Sequence, residues 1–406
     1  MILKIVYKKF QKIEILFFLI ILALIFFRDI SFFFQPRIWA EEGTVHLSSV
    51  VSNGYFQSLF IPHLGYFSFF NNFIASVGLY LGGLSNVAYF TTLASALVTL
   101  IVVLSPFYLP SEYWRSNREK FLISTFSLLI GSAEIWMNTI NAQFFFGLFS
   151  CMLYMSNVDK IKSGIFWGIV FILINAVLTG VTSVILLPFF IFRYILSSTR
   201  SIRERVIFYC LAFGFFVQVL SLILSKPTTL GRLSLENFVN FPYGVFNNLI
   251  SFLRLVETEN SYPKAAILFL LMFLLLFSKR RAFVAVPLLM ALYISVVFAF
   301  LALGMHGGGR YGYIPSVLIF VYLLNVDLSH IRLLNSLKIM SAVFLVCICA
   351  PGFFQTERYY QADWITFSPD NARELSPGVL EMKLFPQWNG TNWRLVISSE
   401  DFERLR

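Results

Sequence analysis

The fold class this sequence predicts is an all-α polytopic membrane protein with about eleven transmembrane helices. Three observations predict it. Hydrophobic residues make up 58% of the 406 residues and charged residues only 13%, about half the charge of an ordinary soluble chain. Apolar runs such as IEILFFLIILALIFF and AAILFLLMFLLLF are of membrane grade, and the mean hydropathy is +0.76. The Lys and Arg behind the net charge of +10 gather in short loops between those runs. That pattern fixes orientation in a bilayer and argues against a nucleic-acid face.

The elements follow in order. Lys4, Lys8, Lys9 and Lys12 precede the first run, so the N-terminus is expected in the cytoplasm and residues 13–34 cross outward. The run has no small-residue cleavage site and continues through RDISFFFQPRIW, so it reads as a retained span and not a signal peptide. Segment 36–86 has no basic cluster; it is expected to be a large external loop, with apolar pieces near 45–60 and 66–82 lying in the interface. Spans are then expected at 87–108, 121–137, 143–157, 165–180, 183–197 and 206–224. A second long external loop, 225–262, leads to spans 265–278, 282–303, 314–327 and 339–353. This count puts WRSNREK, TRSIRER and Lys279-Arg280-Arg281 all inside; making 66–82 a full span puts WRSNREK and TRSIRER outside. Residues 1–355 thus form the transmembrane domain. The tail, 356–406, alternates apolar and polar residues around turn signals and is expected to be a small external β-rich cap. Cys151, Cys210, Cys347 and Cys349 all lie in apolar runs and read as small hydrophobes.

Polar groups in such a chain are few, and they converge on the outer side. Glu41, Glu42 and His46 follow the first span; Glu134, just inside the end of the third, and Asn138, Asn141 and Gln143 lie at the second external loop; His306, Arg310, Tyr311 and Tyr313 come from GMHGGGRYGY. Arg232, Glu236, Arg254 and Glu257 belong to the long loop. A carboxylate here can take a proton from an acceptor hydroxyl as its oxygen attacks an activated sugar. Only one of Glu41 and Glu42 need act so; adjacent residues point differently, and the other can cap or hydrogen-bond. Trp39 is a sugar platform or an interfacial anchor. The glycines before Arg310 let backbone approach a ligand, and the guanidinium offers a fork for phosphate. Asn138, Asn141 and Gln143 are suited either to sugar hydroxyls or to capping span ends. Asn175, Thr179 and Ser183 read as packing and a bend.

Four stretches, RIWAEEG, NTINAQF, LTGVTSVILLPFF and GGGRYGYIP, occur in an order and on a side that resembles the GT-C class of membrane glycosyltransferases. Within it they most resemble bacterial serotype-converting O-antigen glucosyltransferases. The resemblance implies a GT-C-like body in the inner membrane of a Gram-negative bacterium. It implies a polyprenyl-phosphate-linked sugar donor, glucose for these transferases, and a lipid-linked O-antigen or related glycan acceptor on the periplasmic face. Carried over, Glu41 or Glu42 is the general base and Arg310 contacts the lipid phosphate; from their own chemistry and side, His306, Tyr311, Tyr313, Trp39, Asn138, Asn141 and Gln143 are expected around the donor. These transferases usually carry Asp as well as Glu in the first loop; both acids are Glu here, which leaves open the base and a weak divalent metal. The second external loop offers Asn and Gln, so no tight metal site and no cofactor are expected.

Other classes predict other features. An O-antigen polymerase calls for a densely basic central loop, whereas Arg232 and Arg254 stand apart in 225–262. A flippase or transporter calls for charges inside spans and related halves. A lipid-linked acyltransferase calls for a basic cytoplasmic loop with His near Asp, and Asp327 with His330 stand alone.

Overall fold

The computed structural model describes residues 12–63, 65–131, 133–196, 201–225, 239, 241–249, 270, 273–301, 309–329, 332–354, 365–387 and 393–406. Most of loop 225–262, most of span 265–278, His306 and His330 lie outside them; within the expected loop, residues 241–249 are a helix with Asn248 and Leu249 buried.

Apolar sequence becomes helix at nearly every expected span. The main helices are α1 (Lys12–Arg28), α2 (Ser48–Asn53), α3 (Phe69–Val103), α4 (Asn117–Leu129), α5 (Ala142–Tyr154), α6 (Ser163–Val177) and α7 (Leu187–Leu196). They continue with α8 (Ile202–Leu224), α9 (Phe241–Leu249), α10 (Arg281–Leu301), α11 (Tyr313–Asn325) and α12 (Arg332–Phe354). Three of them, α3, α8 and α10, are by length and composition long and apolar enough to cross a membrane. Eleven full spans are not what the structure describes, because several of the others are apolar but only 10–17 residues long; ~20 are needed to cross as a straight helix.

The interior is built on α5 and α11, whose residues are buried almost all round, as an enclosed helix requires. Phe126 of α4 stacks on Phe320 of α11 with centroids 4.1 Å apart. The outer helices turn apolar side chains outward: Phe213, Phe216, Leu220 and Ile223 of α8 are exposed, a surface suited to lipid. Cys151 and Cys349 are buried as expected, Cys210 is half-buried and Cys347 exposed; all four are free thiols.

The expected apolar piece near 66–82 is a helix, residues 69–82; together with a second, 84–103, it makes up α3, the two running into each other across a kink at Gly83. There φ is 60° and ψ −170°, a region open in practice to glycine alone. The break is where the chain end docks: a Cβ on Gly83 would stand 2.7 Å from the Leu405 carbonyl oxygen, and Ser85 Oγ donates to the Arg406 carbonyl at 3.2 Å.

The tail is β-rich, as its alternation predicts. Strands β1 (Arg373–Ser376), β2 (Val379–Lys383) and β3 (Arg394–Ser398) form an antiparallel meander in that order. A helix not foreseen, α13 (Ser399–Leu405), follows, with Ser398 Oγ accepting from Asp401 N. The sheet does not stand apart from the helices. Met382, Leu384, Leu395 and Ile397 share one core with Ile38, Leu47 and Val50 of the first loop and Leu79, Leu84 and Val87 of α3.

The basic loops meet at one end of the body. Asn157 N donates to the Pro110 carbonyl (2.7 Å) and Lys279 N to the Asp327 carbonyl (3.2 Å). Arg280 pairs with Glu112 at 3.0 Å, and Arg203 Nη1 donates to the Val158 and Asp159 carbonyls. The chosen polar residues gather elsewhere, with the tail.

Candidate functional site

The two adjacent glutamates are sent to different places. Helix of the π type, with its wider i→i+5 turn, runs from Glu42 to Leu47 immediately after Glu41. Glu42 is buried and serves the backbone. Its Oε2 accepts from Trp39 N at 2.9 Å, and its Oε1 accepts from Thr139 Oγ1 at 2.7 Å and from Thr139 N. Burial raises its pKa, against the lowering effect of Thr139, Trp39 and the charge of Arg37. Glu42 is therefore a clip that ties the first loop to the 134–141 loop.

That second loop is shaped tightly. Met137 has φ 52°, a left-handed conformation rare for a side chain of its size. Asn138 Nδ2 donates to the Glu134 carbonyl (2.7 Å), Asn138 Oδ1 accepts from Asn141 N (3.0 Å), and Asn141 Nδ2 also reaches the Glu134 carbonyl (2.8 Å). Asn138 thus folds the loop and is buried.

Glu41 faces the opposite way, toward a cluster of polar groups. Its charge acts on Tyr66 and on Arg310. Its Oε2 is shielded from water and has no hydrogen-bond partner among the described residues. Arg310 Nη1 pairs with Glu134 Oε1 at 3.0 Å and approaches Asn141 Oδ1 at 3.5 Å. Arg310 Nη2 donates to the Tyr311 hydroxyl at 3.4 Å. Burial works against the Arg310 charge, but Tyr311, Glu134 and Glu41 outweigh it, so its pKa is raised.

Tyr66 completes the cluster and sequence reading missed it. A bridge between His63 and Tyr66 and a Gly65 φ of 90° make a tight turn. The following residues are pinned: Ser68 bridges Thr179, Phe70 N donates to Thr179 Oγ1 (3.1 Å), and Gln218 holds both Phe67 main-chain groups. Thr179 is thus the packing residue its sequence context predicts. The Tyr66 hydroxyl bonds Gln143, and burial together with the Glu41 charge pushes its pKa up to about 12, so it is a donor at neutral pH. Gln143 reaches this spot because residue 180 is glycine, at φ 76°; a Cβ there would overlap Gln143 Oε1.

Of the residues chosen from sequence, the structure brings together Glu41, Arg310, Tyr311, Asn141 and Gln143, and adds Glu134 and Tyr66. It sets four apart as corrections: Glu42 and Asn138, whose polar atoms are spent on the two loops, and Trp39 and Tyr313. Trp39 is buried, edge-on to Phe385 of the tail (5.7 Å) with the Arg37 guanidinium over its ring (4.9 Å), so it is neither an open sugar platform nor a surface anchor. Tyr313 is buried in α11 and donates to the Ser127 carbonyl at 3.0 Å, which takes it away from any ligand. His306 and the long-loop charges lie outside the described residues. Among the described residues no three His, Cys, Asp or Glu side chains gather as a metal site.

Sequence reading also missed Arg37. Its guanidinium lies over the rings of Phe32 (4.6 Å) and Phe385 (4.4 Å), and Nη2 donates to the Trp136 carbonyl at 3.3 Å. The signal was present: an arginine in a segment expected to lie on the side that positive charge avoids needs a reason.

No protein-family model matches this chain, and no curated protein matches it.

Proposed function

We propose that this chain is a polyprenyl-phosphate-sugar-dependent glycosyltransferase, moving a sugar such as glucose to a lipid-linked O-antigen or related glycan on the periplasmic face of a bacterial inner membrane. The observation that carries the reading is the meeting of Glu41, with an unpartnered shielded oxygen, and Arg310 in one cluster with Tyr66, Tyr311, Asn141 and Gln143.

In this reading Glu41 takes the proton of the acceptor hydroxyl as its oxygen bonds the anomeric carbon. The bond from that carbon to the phosphate oxygen breaks, and both electrons leave on the polyprenyl phosphate. Arg310 compensates the added phosphate charge, in exchange for part of its pairing with Glu134. Tyr66 and Tyr311 donate hydroxyl hydrogen bonds nearby. Glu42 holds the first loop so that Glu41 is presented.

The test is transfer from a synthetic polyprenyl-phosphoglucose in reconstituted membranes, with lipopolysaccharide composition as the cellular readout. Glu41→Gln is expected to lower the rate by about 10²–10⁴-fold, the range of a removed general base, at unchanged thermal stability. Arg310→Ala is expected to raise the donor KM and lower kcat. Full activity of Glu41→Gln would end the base assignment, and full activity of Arg310→Ala would remove it from the donor site.

A further inference from the structure

We propose that the first external loop carries a second binding site, a groove for a neutral, hydroxyl-rich glycan segment. It rests on the transferase reading in one respect, that its occupant is the acceptor chain. The groove is shallow and open to solvent, with a volume of about 410 Å³, a shape that suits an extended chain lying along the surface. Its polar lining is Thr44, Ser48, Ser49, Ser52, Asn53 and His63.

Sequence periodicity makes the lining. Thr44, Ser48 and Ser52 recur every four residues through the π-helix and α2, so they share one face. The other face, with Leu47 and Val50, is buried in the core shared with the tail. Serine is a mediocre helix former, and packing does not ask for it on the open side.

The groups there are short of partners. Thr44 Oγ1 donates to the Ala40 carbonyl (2.9 Å) and keeps its acceptor capacity. Asn53 Nδ2 is used on Ser49 (3.0 Å to the carbonyl), which leaves its Oδ1. His63 Nε2 is shielded from water and has no hydrogen-bond partner among the described residues.

The lining also carries no fixed charge. Burial lowers the His63 pKa, so the ring is neutral. Behind it His46 is neutral as well: Asn71 Nδ2 donates to its Nε2 (3.3 Å), so Nδ1 carries the proton given to Asn72 Oδ1 (2.6 Å). A phosphate or carboxylate finds no cation among these residues, whereas sugar hydroxyls both donate and accept.

The groove adjoins the Glu41 cluster. Thr44 lies one turn beyond Glu41, and the His63–Tyr66 bridge joins the groove wall to the cluster (3.0 and 3.1 Å). A glycan seated in the groove thus leads its end toward the base.

The test uses the full chain in lipid nanodiscs and saturation-transfer NMR with neutral tetrasaccharides of glucose, galactose and rhamnose, and a glucuronate tetrasaccharide as the charged control. At least one neutral probe is expected to show saturation, and the charged control none. Ser48→Phe and Ser52→Phe are expected to abolish the signal, and the milder Ser48→Ala/Ser52→Ala double variant to weaken it about threefold or more, each with an unchanged melting point. Glu41→Gln is expected to keep it. Absence of saturation by every neutral probe, an equal signal from the glucuronate control, or full signal in both the Phe variants and the double Ala variant overturns the groove. Retained transfer by Glu41→Gln with probe binding intact overturns the base assignment instead and leaves the groove standing.

Discussion

The two ends of the helical body hold their charges in opposite ways. At the basic end Arg115 and Glu112 pair at 2.8 Å with side chains 63% and 62% exposed, and Arg280 reaches the same carboxylate. At the other end Arg37 and Glu42 are 0% and 3% exposed, and each is bonded to the main chain of the 134–141 loop. An exposed pair contributes ~0–1 kcal/mol. Removing one partner from a buried charged set costs about 3–5 kcal/mol, because the remaining charge stays desolvated. The basic end therefore tolerates exchange, and the buried end fixes geometry.

The strongest way to break this comparison is Glu42→Ala. It removes the acceptor of Trp39 N, Thr139 N and Thr139 Oγ1 together and leaves buried Arg37 without that nearby carboxylate. The expected loss is about 3–5 kcal/mol, read as a lower melting point in detergent. Glu41→Gln, one residue away, is expected to leave the melting point unchanged. Equal melting points for the two variants would mean that the glutamates do not differ as described.

A second test concerns His46, which is buried beside His63. Desolvation lowers the His46 pKa to about 4, while an unfolded histidine titrates near 6.5. The unfolded chain thus binds a proton first, so this contribution is intact above about pH 6.5 and is lost as pH falls toward 4, by about 1.4 kcal/mol per pH unit. Glu42 has the opposite sign, since its raised pKa makes the folded state bind the proton first. The informative quantity is the difference between the wild type and His46→Gln across that window. Parallel stability–pH curves would show that His46 is not the titrating group.

Much of the body was legible because hydropathy and charge are local properties. α1, α6, α8 and α10 lie where apolar runs predict them, and the basic loops that the orientation rule groups together do meet. Glu41, Arg310, Tyr311, Asn141 and Gln143 were legible for a related reason: polar side chains are scarce in this chain, so those on one side share few places to go. The remainder depends on contacts no local pattern carries. Trp39 is enclosed by Phe385, far away in sequence. Leu384 packs so closely on Gly43 that a Cβ there would overlap it. Tyr66 was hidden in an aromatic run, HLGYFSFF, that reads as interfacial surface. The choice between Glu41 and Glu42 turns on a π-helix, for which the sequence has no periodic signature.

The smallest expected effect sharpens the comparison from the other side. Glu112 accepts from both Arg115 (2.8 Å) and Arg280 (3.0 Å), and these two hydrogen bonds hold its carboxyl below the ordinary range. On geometry alone it outranks many contacts at the buried end. Yet its side chain is 62% exposed, so water already solvates the charge and salt screens it. Arg280 also keeps a second hold, its guanidinium 4.0 Å from the Phe283 ring centre. Glu112→Ala is therefore expected to change stability by under about 1 kcal/mol, and by less at 1 M salt than at 0.05 M. A loss matching that of Glu42→Ala would place the basic end among the parts that fix the fold. Burial, and not the number of short contacts, is what separates the two ends.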